Sequence, residues 1–420
     1  MIFDVRDYGA VGDGRTFDTQ AIQRCVDACA AAGGGRVLLE NGVFLTGTLI
    51  LKSYIDFHIS ANATLLGSPD CEDYPPLLGL KHIDAEKCPR KRASCLLFAE
   101  EAEGLSVSGL GKIDGNGQHF VKLRTDGNSW KRYERINAET PPRVVFLCGC
   151  RHCRLENISI VNQPSGWAYW IHDCDDIAMN ALTVKASLEY PNNDGIHINS
   201  SRDITVTNCN ITASDDALIV RANNVTLPEN KVCERVAVTN CNLISHCGGI
   251  RIGWINDGTV RNCTFSDLTI TDSRNGVLIT MPWRGPDRIP DEGREESVIE
   301  NITFDNLVMD RIHDHPVRIK IDDREGTRVR CKRVSRLFFR GIKCRGLQFP
   351  SLEGSRRCKL EDIYFNDCIF EKEDRSAEYG ELVFDPEQFT GKEIHGECFM
   401  AKVHNLYFEN TRFIDSSTAE

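Results

Sequence analysis

The sequence predicts an all-β chain wound as a right-handed parallel β-helix, with one capping helix at its amino-terminal end. Three observations predict it. Short apolar–polar alternations recur along the chain, and each closes on Asn or Asp. They recur at roughly 22 to 40 residues, a solenoid period. Helical patterning is confined to the stretch from Thr19 to Ala32.

That helix comes first among the elements. A solenoid exposes its terminal backbone edge, so an amphipathic helix at 19–32 is expected to cover it. The repeats follow. Runs starting at Arg154, Ile204, Val236, Val260, Ile299, Leu360 and Val403 share one pattern, as in Ile204-Thr-Val-Thr-Asn-Cys-Asn-Ile211 and Val236-Ala-Val-Thr-Asn-Cys-Asn-Leu243. Asn208, Asn240 and Asn262 hold one place in their repeats and are expected to stack at turns. Cys209, Cys241 and Cys263 follow them and are expected to fill the core. The repeats span nearly the whole chain, so one domain is expected over residues 1–420. Three segments break the rhythm: Asp70 to Arg92, Gln118 to Pro142 and Pro282 to Glu296. Long interruptions of a compact fold tend to be functional, and two of the three are expected to border a cleft.

Composition narrows the partners. The 420 residues carry a net charge of −11, which argues against a nucleic-acid partner. No apolar run of membrane-spanning length is present, and no membrane partner is expected. The first residues show no basic start and no long apolar stretch, so no secretory signal is visible. With 19 cysteines, an odd number, the chain reads as one of reduced thiols, and a cytoplasmic location is expected. Cys148, Cys150 and Cys153 lack a matching His/Cys set at zinc spacing and read as buried apolar residues. Neither a metal nor an organic cofactor is expected, and nothing in the sequence sets the oligomeric state.

The chemistry concentrates in two short stretches. Asn192-Asn-Asp-Gly195 and Ser214-Asp-Asp-Ala217 place Asp194, Asp215 and Asp216 one strand–turn repeat apart. Three crowded carboxylates should raise the pKa of one, giving an acid beside groups that activate water. Such a set hydrolyses glycosidic bonds.

These residues resemble a known family. The opening stretch from Phe3 to Gly14, followed by Thr19-Gln-Ala-Ile22, looks like the amino-terminal signature of pectin-degrading β-helix enzymes. Asn192-Asn-Asp-Gly195 and Ser214-Asp-Asp216 resemble the central motifs of glycoside hydrolase family 28, the polygalacturonases and their relatives. The resemblance runs from about residue 3 to about residue 310 and implies inversion at the anomeric centre. It implies Asp215 as general acid, with Asp194 and Asp216 holding and deprotonating the attacking water. Asn192, which opens the first motif, is expected to contact substrate.

Two further family motifs are altered. Family members carry Gly-His-Gly on the next coil, but Gly248 stands at the histidine position here, and His246 is the candidate replacement. The family's Arg-Ile-Lys grip on a galacturonate carboxylate aligns with Leu278-Ile-Thr280. A literal Arg318-Ile-Lys320 comes about one coil later, and its reach to the cleft stays open. Arg221 and Arg251 are the compensating cations, and His197 is expected as a hydroxyl donor or a supporting residue. Trp170, Trp254 and Trp283 are candidate platforms for a sugar face.

The expectation is an inverting glycoside hydrolase that acts on a plant cell-wall-type glycan or its oligosaccharides, pectic above all. Two alternatives share the fold. One is a β-eliminating lyase with Ca²⁺ on the aspartates or an arginine base. The other is a non-catalytic glycan-binding solenoid whose aspartates only make turns.

Overall fold

The computed structural model describes residues 1–83, 94–125, 131–137, 143–224, 227–254, 257–281, 296–321, 331–373 and 399–416. Its strands pair in parallel, coil upon coil, in sheets of 24 and 11 strands. Among the described residues the one antiparallel pair is a small hairpin of Val121–Leu123 with Tyr133–Arg135, inside the interruption expected at 118–142.

Each coil forms because its alternation matches the strand period. In Arg202–Thr207, Ile204 and Val206 point inward and are fully buried. The next coil puts Val236 and Val238 directly beside them. Asn208, Asn240 and Asn262 take left-handed backbone angles of 58°, 55° and 55°, which Asn tolerates better than most residues. Asn240 donates its amide to Asn208 Oδ1 at 2.5 Å, so the expected turn ladder is present. Cys209, Cys241 and Cys263 are buried, as are Cys148, Cys150 and Cys153.

Farther along, phenylalanines fill the same inward position on successive coils. Phe265, Phe304, Phe339 and Phe365 are fully buried. Their rings stack at 5.2, 4.9 and 4.7 Å. This is the rung spacing of a parallel sheet, expressed in side chains.

The helix Thr19–Ala31 lies at the amino-terminal end and buries Ala21, Ile22, Cys25, Val26 and Cys29. Asp18 precedes it but does not cap it. Its carboxylate accepts instead from the backbone N–H of Val11 (2.7 Å) and Gly12 (2.9 Å), tying the opening loop to the helix.

A second, smaller core was not anticipated. Leu77 and Ile83, from the first interruption, cover Phe98, Phe146, Cys148 and Trp170 on the outer face of the 11-stranded sheet. Outward residues on those early coils are therefore buried, against the simple rule that alternation puts them in water.

Replacing Phe304 with Ala should lower stability by about 3–5 kcal/mol, because the ladder's straight rungs cannot collapse into the space. Urea unfolding of the two proteins measures this, and a loss near zero would mean that the ladder is not under packing constraint.

Candidate active site

The 11-stranded sheet carries the site on its outer face. Parallel register stacks equivalent residues of successive coils. Tyr169 pairs with Ile196, Ile196 with Leu218, Leu218 with Ile250, and Gly248 with Asn275. Two residues before the first three, the same register aligns Trp167, Asp194, Asp216 and Gly248 in one column. The neighbouring column runs Trp170, His197, Ile219, Arg251, Leu278, Arg318. Asp194 and Asp216 thus lie one rung apart, about 4.8 Å along the axis.

Local sequence makes these turns possible. Asn192 sits at φ 51°, in the left-handed region. At Gly195 any Cβ would lie 2.2 Å from the Ala217 carbonyl oxygen, so only glycine lets the two coils meet. The motif therefore has a backbone reason as well as a chemical one.

A cleft of ≈180 Å³ opens over these columns. Asp194, Asp215 and Asp216 all line it, with Asn192, His197, Arg221, Arg251 and Trp254. Trp167 and Ile219 join them and were not singled out from the sequence. Nothing in the local pattern Gly166-Trp167-Ala168 separates a cleft indole from a core one.

Asp215 is half-buried, and both its carboxylate oxygens accept hydrogen bonds. Asn192 Nδ2 donates to Oδ2 at 3.0 Å, and the Asp216 backbone N–H donates to Oδ1 at 3.1 Å. Asp216 is buried and pairs with Arg251 at 2.9 Å, while Arg251 also donates to Thr280 Oγ1 at 2.9 Å. Burial holds the Asp216 carboxyl above its ordinary value of 3.8, and Asp215 adds to this, against the downward pull of Arg251. Burial more than crowding raises this carboxyl, and it belongs to a residue expected to activate water rather than to the expected acid. Burial works against the Arg251 charge, yet Asp216 outweighs it and holds the guanidinium above its ordinary value.

His197 is buried with Nδ1 3.9 Å from Asp194 Oδ2, and its ring stacks on Trp167 at 3.9 Å. Burial, helped by Arg221 and Arg143, pushes the imidazole well below its ordinary pKa, so it is neutral. Arg221 binds Asp257 through Nε and Nη2, at 2.9 and 2.7 Å. Trp254 lies under the Arg251 guanidinium at 4.1 Å.

Several expectations need correction. Trp170 is no sugar platform. It is buried, stacked on Phe146 at 4.1 Å, within the small outer core. His246 does not take up the family histidine's place. It is half-buried outside the cleft lining, and burial, with Lys131 and His313 nearby, pushes its pKa down to about 4. Gly248 follows Asp216 in the column, one rung on, and space there is tight. A Cβ there would lie 3.0 Å from Asp216 Oδ1 and 3.2 Å from Leu278 Cβ. Arg221 and Arg251 are each already engaged by a protein carboxylate. Arg318 and Lys320 fall one rung beyond Leu278 and Thr280. Arg318 is buried and pairs with Asp314 at 2.7 Å, and Lys320 stands 3.8 Å from Glu353. Trp283 lies outside the described residues, as does most of the third interruption.

Two residues from the second interruption complete the site. Arg135 donates to Asn192 Oδ1 at 2.6 Å and to the Ser165 carbonyl and hydroxyl oxygens at 3.2 Å. Lys131 is buried with its ammonium on the Ser214 carbonyl oxygen. Burial brings the Lys131 pKa down to about 8, against the pull of Asp215. Asp215, Asp216 and Cys247 also bring ligand atoms within 4.8 Å of one another. Burial and the two aspartates push the Cys247 thiol well above its ordinary pKa, so it is a poor metal ligand.

Comparison with known proteins settles the family. The model of "Glycosyl hydrolases family 28" matches residues 78–367. The chain belongs to glycosyl hydrolase family 28. Residues 2–75 match a second model, "Rhamnogalacturonase A/epimerase, pectate lyase-like". A probable polygalacturonase of Arabidopsis thaliana is 25% identical over 73% of this chain and 67% of its own length. An exopolygalacturonase of Platanus acerifolia is 26% identical over 73% of this chain and 82% of its own. Among solved structures, the hyperthermoactive exopolygalacturonase of Thermotoga maritima superposes with a TM-score of 0.71 at 22% identity, covering 89% of this chain and 87% of that one. The right-handed parallel β-helix and the glycoside hydrolase class are therefore both shown, and neither the lyase nor the non-catalytic solenoid is favoured.

Replacing Arg251 with Met would leave a buried Asp216 without its cation. Stability should fall by about 3–5 kcal/mol at neutral pH. Denaturant unfolding at pH 7 and pH 4 checks this. The deficit should shrink at the lower pH, where Asp216 takes up a proton, and a deficit unchanged by pH would contradict the assignment.

Proposed function

We propose that this enzyme cleaves pectic oligosaccharides with inversion, working inward from a chain end. The observation that carries the reading is the column that places Asp194 and Asp216 on adjacent rungs, with Asp215 turned beside them into the same cleft. Asp215 acts as the general acid. Its proton passes to the glycosidic oxygen, and the electrons of the breaking C–O bond leave with that oxygen. Asp194 and Asp216, as carboxylates, hold a water, and one of them takes its proton as the water oxygen attacks the far face of the sugar. Neutral His197 backs the cleft from a buried position, its Nδ1 3.9 Å from Asp194 Oδ2 and without a hydrogen-bond partner among the described residues.

The small outer core supports action at a chain end. It covers the sheet on the coils before His197, so the cleft ends near Trp167 and does not continue across those rungs. Trp167 and Trp254 both line the cleft, Trp167 stacked on His197 and Trp254 under the Arg251 guanidinium. A uronate carboxylate is held by other means than in family members with Arg-Ile-Lys, since Leu278 and Thr280 stand there and Arg221 and Arg251 bind Asp257 and Asp216. We place the enzyme in a reducing compartment, where imported oligosaccharides are trimmed. The 17 cysteines among the described residues are free and almost all are buried, which agrees with that location.

Defined galacturonate and rhamnogalacturonan oligosaccharides test the substrate class. The expected first product is a single monosaccharide, and a mixture of shorter oligomers at early times would contradict end-wise action. Asp215→Asn should reduce hydrolysis by about 10²–10⁴-fold while the fold persists. Turnover close to wild type would remove Asp215 as the acid. An ultraviolet-absorbing unsaturated product would mark elimination instead.

Activity should also fall on the acid side as Asp216 takes up a proton. That limb should lie above pH 3.8, because burial raises this carboxyl. Arg251→Met removes the largest downward pull, so the limb should move to still higher pH in the kcat profile. A limb that stays in place would separate Asp216 from the water-activating role.

A further inference from the structure

The Val121–Leu123/Tyr133–Arg135 hairpin lies outside the β-helix coils, yet it delivers two cations behind the Ser214–Asp216 turn. Arg135 makes a chain of directed hydrogen bonds. Its guanidinium donates to Asn192 Oδ1 at 2.6 Å, and Asn192 Nδ2 donates to Asp215 Oδ2 at 3.0 Å. The order matters. A guanidinium only donates and an ionised carboxylate only accepts, so the amide between them has one satisfied orientation. Turned over, Asn192 would set its NH₂ against the guanidinium and its oxygen against the carboxylate. Arg135 is itself fixed by Ser165, at 3.2 Å to both the carbonyl and the hydroxyl oxygen.

We propose that Arg135, acting through the Asn192 amide, is a positioning residue that keeps a hydrogen-bond donor on Asp215 Oδ2 during proton transfer. This rests on the reading of Asp215 as the general acid. As the proton moves to the leaving oxygen, Asp215 is left as a carboxylate. The Asn192 N–H at Oδ2 and the Asp216 backbone N–H at Oδ1 then stabilise the charge that develops. Arg135 makes no hydrogen bond to the carboxylate, so its directed contact with Asp215 runs through Asn192, beside a through-space attraction to Asp194 and Asp215. Lys131 supports the same turn from below, on the Ser214 carbonyl oxygen, and Ser245 Oγ holds the Asp215 carbonyl oxygen at 2.6 Å. The charged and titratable groups around Asp215 are then Asp194, Asp216, Cys247, Arg251, Lys131 and Arg135.

The test compares two substrates that differ in their need for an acid: trigalacturonate, with a sugar leaving group, and α-galacturonosyl fluoride, with a leaving group that departs with little help. Arg135→Met should lower kcat on trigalacturonate by about 10-fold or more, and on the fluoride by less than about 3-fold. Arg135→Lys, which keeps a donor, should recover most of the loss. Asn192→Leu removes the relay without touching the Arg135–Ser165 bonds. Its loss should equal or exceed that of Arg135→Met, and the double variant should be no worse than Asn192→Leu alone. Equal losses on both substrates, or additive losses in the double variant, would overturn the proposal. Asp215→Asn is the control for the underlying reading. It should show the same preference for the fluoride, and failure to do so would remove Asp215 as the acid rather than Arg135 as its support. A wild-type enzyme inactive on both substrates would remove the galacturonate reading and this inference with it.

Discussion

The rung-to-rung register of the parallel coils is the constraint on which the rest of the structure depends. Backbone hydrogen bonding fixes successive coils about 4.8 Å apart. Any residue type repeated at coil spacing therefore becomes a column. Inward columns give the phenylalanine and cysteine ladders, and turn columns give the asparagines. The outward column that passes through Trp167, Asp194, Asp216 and Gly248 gives the site. Carboxylates at such spacing repel one another, and the fold tolerates them because each is engaged differently. Asp216 is buried against Arg251, whereas Asp215 is half-exposed and accepts two N–H donors.

The same register explains why the substrate-facing residues differ from the family pattern as a set. A Cβ at Gly248 would press on Asp216 Oδ1 at 3.0 Å and on Leu278 Cβ at 3.2 Å. Arg251, on the same coil, sends its guanidinium to Asp216 and on to Thr280. Leu278 and Thr280 on the next coil are then packed against a cation already present, and the Arg-Ile-Lys triplet is displaced to the coil after that.

What was legible in the sequence followed from periodicity. Alternation marked the coils, the Asn positions marked the turns, and the two aspartate motifs marked the cleft. The helix came within one residue of its end. What was not legible arose from contacts between segments distant in the chain. Trp170 obeys alternation and points outward, but Leu77 and Ile83 cover it with a core of their own. His246 has the right residue type near the right place, yet it lies outside the cleft lining. Arg135 and Lys131 lie in the interruption from Gln118 to Pro142, and their partners Asn192 and Ser214 lie 57 and 83 residues away. No pattern of spacing encodes such a meeting. Only the hairpin's fold over the coil edge produces it.

The central claim is that water, held by carboxylates on adjacent rungs, displaces the leaving sugar in one step. Proton NMR of the first-formed product measures this most directly, because its anomeric configuration is set before mutarotation. The account predicts a product of opposite configuration to the bond cleaved. A product of the same configuration would require a covalent intermediate on one of the aspartates and would contradict it.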